Sequence, residues 1–224
     1  PTESYMFDLP VDRNTAEGFE PFWIDDDTLL LDRGFKQRCL VNVADPKVPE
    51  IACAEFDVVV GDLSPDRRYF EVRQPIHTNP SRPLRLGYMS TDCITRPPQC
   101  EVVLYPAPLN ADKDPVDLEE ATWLPDGSGI LFKWIREDLD PSITGRDTLL
   151  WVLDIRSGSF TNIAEIDEPL NLLSFYKHAY AIWSPEGTRV ILQNTERIYT
   201  FDINSRALEL LSEDGWVALG NIHL

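Results

Sequence analysis

The sequence predicts an all-β fold assembled from repeated four-stranded antiparallel units. Two recurring phrases carry this reading, a turn phrase and an apolar strand phrase, together with turn-forming residues spread along the whole chain. Eighteen prolines and eleven glycines in 224 residues favour many short elements joined by turns over long helices. At 43% hydrophobic residues the chain has the composition of a packed globular protein.

The turn phrase reads Trp123-Leu124-Pro125-Asp126-Gly127 and returns as Trp183-Ser184-Pro185-Glu186-Gly187. Looser copies are Leu63-Ser64-Pro65-Asp66-Arg67 and Trp23-Ile24-Asp25-Asp26-Asp27. Its physics is that of a hairpin. Proline presets φ at the first central position, the acidic residue suits the second, and glycine takes the positive φ that follows. Apolar residues on both sides then form the two strands, as in Ala179–Trp183 and Val190–Leu192.

The strand phrase follows each hairpin. Ile198-Tyr199-Thr200-Phe201-Asp202 and Leu150-Trp151-Val152-Leu153-Asp154 are its clear copies, and Leu40–Asp45 and Val102–Ala107 are looser ones. Each is expected to form a third strand and to lead through a polar turn into a fourth.

Hairpin plus hairpin makes a four-stranded meander. The turn phrases lie 40, 60 and 60 residues apart, and a propeller blade takes about 40–45 residues. The excess falls in insertions at Pro75–Pro83, around Cys93–Cys100, at Arg136–Arg146 and at Ile166–Lys177. The expected fold is therefore a β-propeller of four-stranded antiparallel blades over 18–55, 56–110, 117–165 and 177–212. About five blades, or part of a larger propeller, are expected. Ser4–Leu9 matches the strand phrase, and Gly215–Leu224 reads as the opening of another blade. The two ends, 1–17 and 213–224, would share one blade and close the ring.

The Trp-Ser-Pro-Glu-Gly-Thr-Arg-Val-Ile-Leu segment, followed by Ile-Tyr-Thr-Phe-Asp-Ile, resembles the TolB-like (WD-like) β-propeller repeat family. The resemblance spans residues 20–211 through four units. The first unit lacks Ser, Pro and Gly, and the second lacks Trp and Gly. What it implies is a fold more than an activity. By this resemblance the setting would be a periplasm or the cell exterior, and the partner another envelope or extracellular protein.

Cys39 and Cys53 both lie seven residues from Pro46, so a hairpin centred there brings them face to face. Cys93 and Cys100 bracket a tight Thr95–Gln99 bend. Four cysteines allow three connectivities, and locality favours 39–53 and 93–100. Closing a loop of about 15 residues stabilises by about 3 kcal/mol in the chain-entropy model. The alternative is four free buried thiols, whereas zinc would want CxxC spacing. Disulfides favour an oxidising compartment.

The net charge of −18 repels phosphate backbones and anionic bilayers, which argues against a nucleic-acid partner. No apolar run approaches the ~18 residues that cross a bilayer as a helix, so no membrane insertion is expected. Asp25-Asp26-Asp27 lacks the alternation, central glycine and distant glutamate of an EF-hand loop, and reads as a solvated turn. Calcium is the one cofactor with any claim, and no motif supports it. Neither a GxSxG elbow nor a metal-binding histidine spacing occurs.

These readings converge on a non-catalytic protein-binding platform that uses its rim loops. Candidate contact residues are Arg82, Arg85, Arg96 and Arg136, with His178 entering an innermost strand. No catalytic or metal-ligating residue is assigned. The alternative is a propeller enzyme with a channel-mouth site, of the metal-dependent lactonase or glycan-cleaving type. A third reading is a module of a larger protein or assembly.

Overall fold

A computed structural model describes residues 20–33, 37–45, 49–74, 85–96, 100, 102–107, 117–136, 147–172 and 183–213. They form four four-stranded antiparallel sheets, each a simple meander in chain order. The first contains β1 (Glu20–Trp23), β2 (Thr28–Arg33), β3 (Gln37–Asn42) and β4 (Glu50–Glu55). The second contains β5 (Val59–Leu63), β6 (Tyr69–Gln74), β7 (Arg85–Ser90) and β8 (Val102–Pro106), with a 3-10 turn at Thr91–Ile94. β9 (Asp117–Trp123), β10 (Gly129–Arg136), β11 (Asp147–Asp154) and β12 (Ser159–Ile166) make the third. The fourth has β13 (Asn171–Leu172), β14 (Arg189–Gln193), β15 (Ile198–Asp202) and β16 (Leu208–Ser212).

The turn phrase folds as its chemistry dictates. Gly127 and Gly187 take φ of +70° and +71°, and their amides donate to Leu124 and Ser184 carbonyls at 2.9 and 2.8 Å. In the second sheet Arg67 occupies this left-handed position at φ 62° without being glycine. Its guanidinium donates to the Ile24 carbonyl in the first sheet at 2.6 Å, which ties neighbouring turns together and offsets the left-handed strain. Ser64 supports the same turn: its hydroxyl accepts from the Tyr69 amide at 3.0 Å and donates to Asp66 at 2.6 Å.

The aspartate that ends each clear strand phrase caps the next turn. Asp154 Oδ1 accepts from the Arg156 and Ser157 amides at 2.9 and 2.8 Å. Asp202 Oδ1 accepts from those of Asn204 and Ser205 at 3.0 and 2.8 Å. These are Asx turns, in which a side-chain carboxylate replaces a backbone acceptor.

Consecutive sheets pack face to face, as propeller blades do. Leu30 and Ala54 of the first join Val60, Phe70, Val72 and Met89 of the second. Leu86 of the second meets Trp123, Ile130, Phe132 and Leu153 of the third. Leu131 and Leu150 of the third meet Val190, Leu192 and Phe201 of the fourth. Alternate side chains thus serve opposite neighbours, the period-two rule of a strand buried on both faces.

Two elements differ from the sequence expectation. Val102–Pro106 is the fourth strand of its sheet; the third is Arg85–Ser90. An apolar run carries no mark of its rank in a meander, and Gly87 thins the hydrophobic signal of the true third strand. A Cβ at Gly87 would run into the Val103 carbonyl, so close backbone approach requires glycine there. In the fourth sheet the first strand begins at Asn171–Leu172, paired with Leu192–Gln193, while Trp183 makes a single bridge to Val190. Residues 179–182 of the expected strand lie outside the described residues.

Both disulfides form with the local connectivity, Cys39–Cys53 and Cys93–Cys100. Cys39 and Cys53 are direct cross-strand partners in the β3–β4 register.

Candidate functional site

The meander sorts loops onto two rims. Turns joining first to second and third to fourth strands lie on one rim, and those joining second to third strands lie on the other. Arg96 follows β7 and belongs to the first rim. Arg85 opens β7 opposite Gln74, and Arg136 closes β10 opposite Asp147, which puts both at the other rim. The three described candidates are therefore divided between the two rims. Arg82 and His178 lie outside the described residues.

The described cleft with the richest chemistry sits around Arg96. It has a volume of about 460 Å³ and is lined by Tyr69, Tyr88, Ser90, Asp92, Arg96 and Val103, with the Cys93–Cys100 bridge beside them. Tyr69 from β6 and Tyr88 from β7 meet edge to face, with ring centroids 5.4 Å apart. The Arg68 guanidinium lies 6.0 Å from the Tyr69 ring centre. The cleft thus offers aromatic surface between a carboxylate and a guanidinium, a combination suited to recognition.

Its wall is held from several directions. Ser90 caps the 3-10 turn by accepting from the Asp92 amide at 3.2 Å. Thr91 donates its amide to the Arg68 carbonyl at 2.9 Å, and the Arg96 amide donates to the Asp92 carbonyl at 2.9 Å. Cys93 and Ile94 are buried in the core shared by the first two sheets. These bonds hold the backbone of residues 91–96 that carries Asp92 and Arg96.

Tyr69, Tyr88 and Asp92 escaped the sequence reading. A signal was present for the first of them. Tyr69 stands where the third unit has Gly129 and the fourth has Arg189, so the second unit departs from the repeat at its turn.

A second group of charges is buried between sheets. Glu71 is fully buried at the register position of Leu131 and Ile191, which the strand pairings Leu63–Phe70, Trp123–Ile130 and Trp183–Val190 align. Arg73 Nε lies 2.8 Å from Glu71 Oε1. Arg38 reaches from the first sheet to donate to the Val60 carbonyl on β5. Burial raises the Glu71 carboxyl above its ordinary range, while Arg73, the Asp62 backbone and Arg38 pull the other way. Gly61 makes the room, since a Cβ there would strike the carboxylate.

Lys133 is the counterpart in the third sheet. It lies 3.4 Å from Glu120 and donates to Asn171 at 2.5 Å, and Glu120 also accepts from the Leu172 amide at 2.6 Å. The bonds to Asn171 and Leu172 tie the third blade to the fourth. Farther out on the fourth sheet, Glu168 accepts from Tyr199 at 2.8 Å and Arg197 at 3.3 Å.

Among the described residues, no three His, Cys, Asp or Glu side chains gather as metal ligands. Asp25–Asp27 form a turn in which Asp25 accepts from the Asp27 amide at 2.9 Å; that bond chiefly lowers the Asp25 pKa. No described helix is long and apolar enough to cross a membrane.

No family model matches the chain, and no curated protein sequence does. Solved structures do match. A protein described as TolB from Agrobacterium tumefaciens aligns with a TM-score of 0.54 and 17% identity, over 89% of this chain and 64% of that one. Pyrococcus horikoshii acylaminoacyl peptidase aligns at 0.52 and 12% identity, over 87% of this chain and 32% of that one. This chain thus spans less than two thirds of either structure. At such identities the likeness is one of fold, that of the β-propeller.

Proposed function

We propose that this chain is a non-catalytic protein-binding propeller of the TolB-like kind, working in the cell envelope or outside the cell. The observation that carries the reading is the stapled cleft, where Tyr69, Tyr88, Asp92 and Arg96 converge on a loop closed by a disulfide. Aromatic rings flanked by a carboxylate and a guanidinium make good anchors for a protein surface. Two disulfides support an oxidising compartment, and the fold likeness to TolB supports the same setting by analogy. The net charge of −18 favours a partner with a basic surface, which would be steered to the rim.

The test is affinity capture from periplasmic or secreted fractions, with the wild type compared against Arg96→Glu and Tyr88→Ala. One recurrent polypeptide, captured at least about tenfold less by each variant, is the expected result. Equal capture by all three proteins would remove the cleft from the function. A calcium or manganese titration of Tm separates this reading from a metal-dependent propeller enzyme. A rise of several degrees, reversed by a chelator, would favour the enzyme.

A further inference from the structure

Two successive blade interfaces are finished differently near their outer strands. Between the second and third blades, Tyr105 on β8 donates its hydroxyl to the Ile155 carbonyl at 3.2 Å. Its ring lies against Gly158, where an added Cβ would strike it. Gly158 sits in the turn after β11 at φ +69°. A bulky ring on one blade thus meets a bare backbone on the next, and together they fill the interface.

Strand pairing locates the same positions one interface further on. Tyr105 pairs with Leu86, and Leu86 with Arg73. Ala164 pairs with Leu150, and Leu150 with Lys133. Arg73 and Lys133 are equivalent, because Phe70 and Ile130 face the matching first-strand residues Leu63 and Trp123. Ala164 therefore holds the place of Tyr105. On the opposing side, the Gly158 amide donates to the Asp154 carbonyl and the Arg206 amide to that of Asp202, at 2.9 and 2.8 Å. Arg206 therefore holds the place of Gly158, and Ile203 that of Ile155.

With alanine in the tyrosine's place, a groove of about 460 Å³ runs between the third and fourth blades. It is lined by Ile163, Ala164, Ile166, Phe201, Arg206 and Leu208. The groove persists although a bulge adds one residue, Ile163, to β12 at this point. Arg206 keeps a φ of +61°, a conformation that long side chains rarely adopt. Two residues beyond Leu208, Leu210 pairs with Tyr199, which packs on the third blade. Leu210 itself is 47% exposed, so β16 extends the apolar surface past the groove.

We propose that this groove takes the side chain of a tyrosine from an extended segment of a partner polypeptide. The preceding interface supplies the template, with Tyr105 as the ring already in place. In the groove the partner's ring lies over Ala164 beside the Arg206 guanidinium, a cation–π contact. Its hydroxyl is directed to the Ile203 carbonyl, as that of Tyr105 is to Ile155. An apolar body with a polar tip is what distinguishes tyrosine from an aliphatic side chain here. Leu210 takes an apolar side chain two residues along the segment, since alternate residues of an extended chain share a face. The groove shares no lining residue with the cleft around Arg96 and does not depend on the role given to that cleft.

Titration of N-acetyl-tyrosinamide into the intact, isotope-labelled chain, followed by amide chemical shifts, tests the proposal. Saturable shifts are expected at 163–166 and 206–208, with N-acetyl-leucinamide binding at least about tenfold more weakly. A blocked Tyr-Ala-Leu peptide should bind about fivefold more tightly than the tyrosinamide, a gain that Leu210→Ala removes. Ala164→Tyr combined with Arg206→Gly rebuilds the preceding interface within the chain. That double variant should abolish the shifts and raise Tm by several degrees, because its own tyrosine then fills the groove. Arg206→Gly alone, which only removes the guanidinium, should weaken tyrosinamide binding by about threefold or more. Arg96→Glu should leave it unchanged. The proposal is overturned by the absence of saturable shifts at 163–166 and 206–208, or by equal affinity for leucinamide and tyrosinamide. It is equally overturned by a peptide no tighter than the amide, or by a double variant that folds and still binds.

Discussion

The indole of Trp123 in the third blade donates its N–H to the carbonyl of Asp62 in the second, at 3.1 Å. Asp62 lies on the first strand of its blade, so Trp123 works as a bolt between the second and third blades. Trp123→Phe should cost about 1–3 kcal/mol, since the Asp62 carbonyl is left in a dry interface while most apolar contact survives. Trp123→Ala should cost about 3–5 kcal/mol through the cavity it opens. Urea denaturation of the two variants measures both.

Glu71 and Arg73 form a buried pair, with Arg73 Nε 2.8 Å from Glu71 Oε1. Arg73→Ala leaves a buried carboxylate and should destabilise by roughly 3–5 kcal/mol, whereas replacing both by apolar residues should cost less. Chemical denaturation of the single and double variants tests this.

The same carboxyl sets a pH dependence. Because burial raises its pKa in the fold, the native state holds this proton more tightly than the unfolded chain does. Its contribution to stability is full below the ordinary carboxylate pKa and falls as pH rises through the raised value. The stability difference between wild type and Glu71→Gln should therefore shrink, or turn negative, as pH climbs from about 4. A difference that grows with pH would contradict the assignment.

Asp154 and Asp202 titrate in the opposite sense. The Ser157 backbone amide chiefly lowers the first, and the Ser205 backbone amide the second. Their stabilisation is present above the ordinary aspartate pKa and is lost as pH falls through the lowered folded values. Asp154→Asn and Asp202→Asn keep an oxygen acceptor but no charge, so each should flatten the fall of Tm measured from pH 6 down to about 2.5.

The two disulfides should separate by loop length. Cys39 and Cys53 are 14 residues apart and Cys93 and Cys100 only 7. Replacing the first pair by serine should cost about 3 kcal/mol and the second somewhat less. Only the second should loosen the Arg96 loop, read as faster amide exchange at 91–96.

Much of the fold was legible because it is local. Leu124-Pro125-Asp126-Gly127 can make one kind of turn, and glycine takes the positive φ there in both clear copies. The Cys39–Cys53 bridge followed from symmetric spacing about Pro46. The rank of Val102–Pro106 was not legible, because a strand's composition reports burial and not its order in a sheet. The cleft was half legible. Arg96 and the disulfide stood out in the sequence, while Tyr69 and Tyr88 come from strands that only the β6–β7 pairing sets side by side.

By itself the sequence determined the turns, the bridges and the repeating blade, since each depends on residues close to one another along the chain. Tertiary structure alone decided that Glu71 would be buried beside Arg73 in reach of Arg38, and that Lys133 would meet Asn171. Those outcomes depend on which faces of separate sheets meet, and a buried charge is recognisable only once the surface that desolvates it is in place.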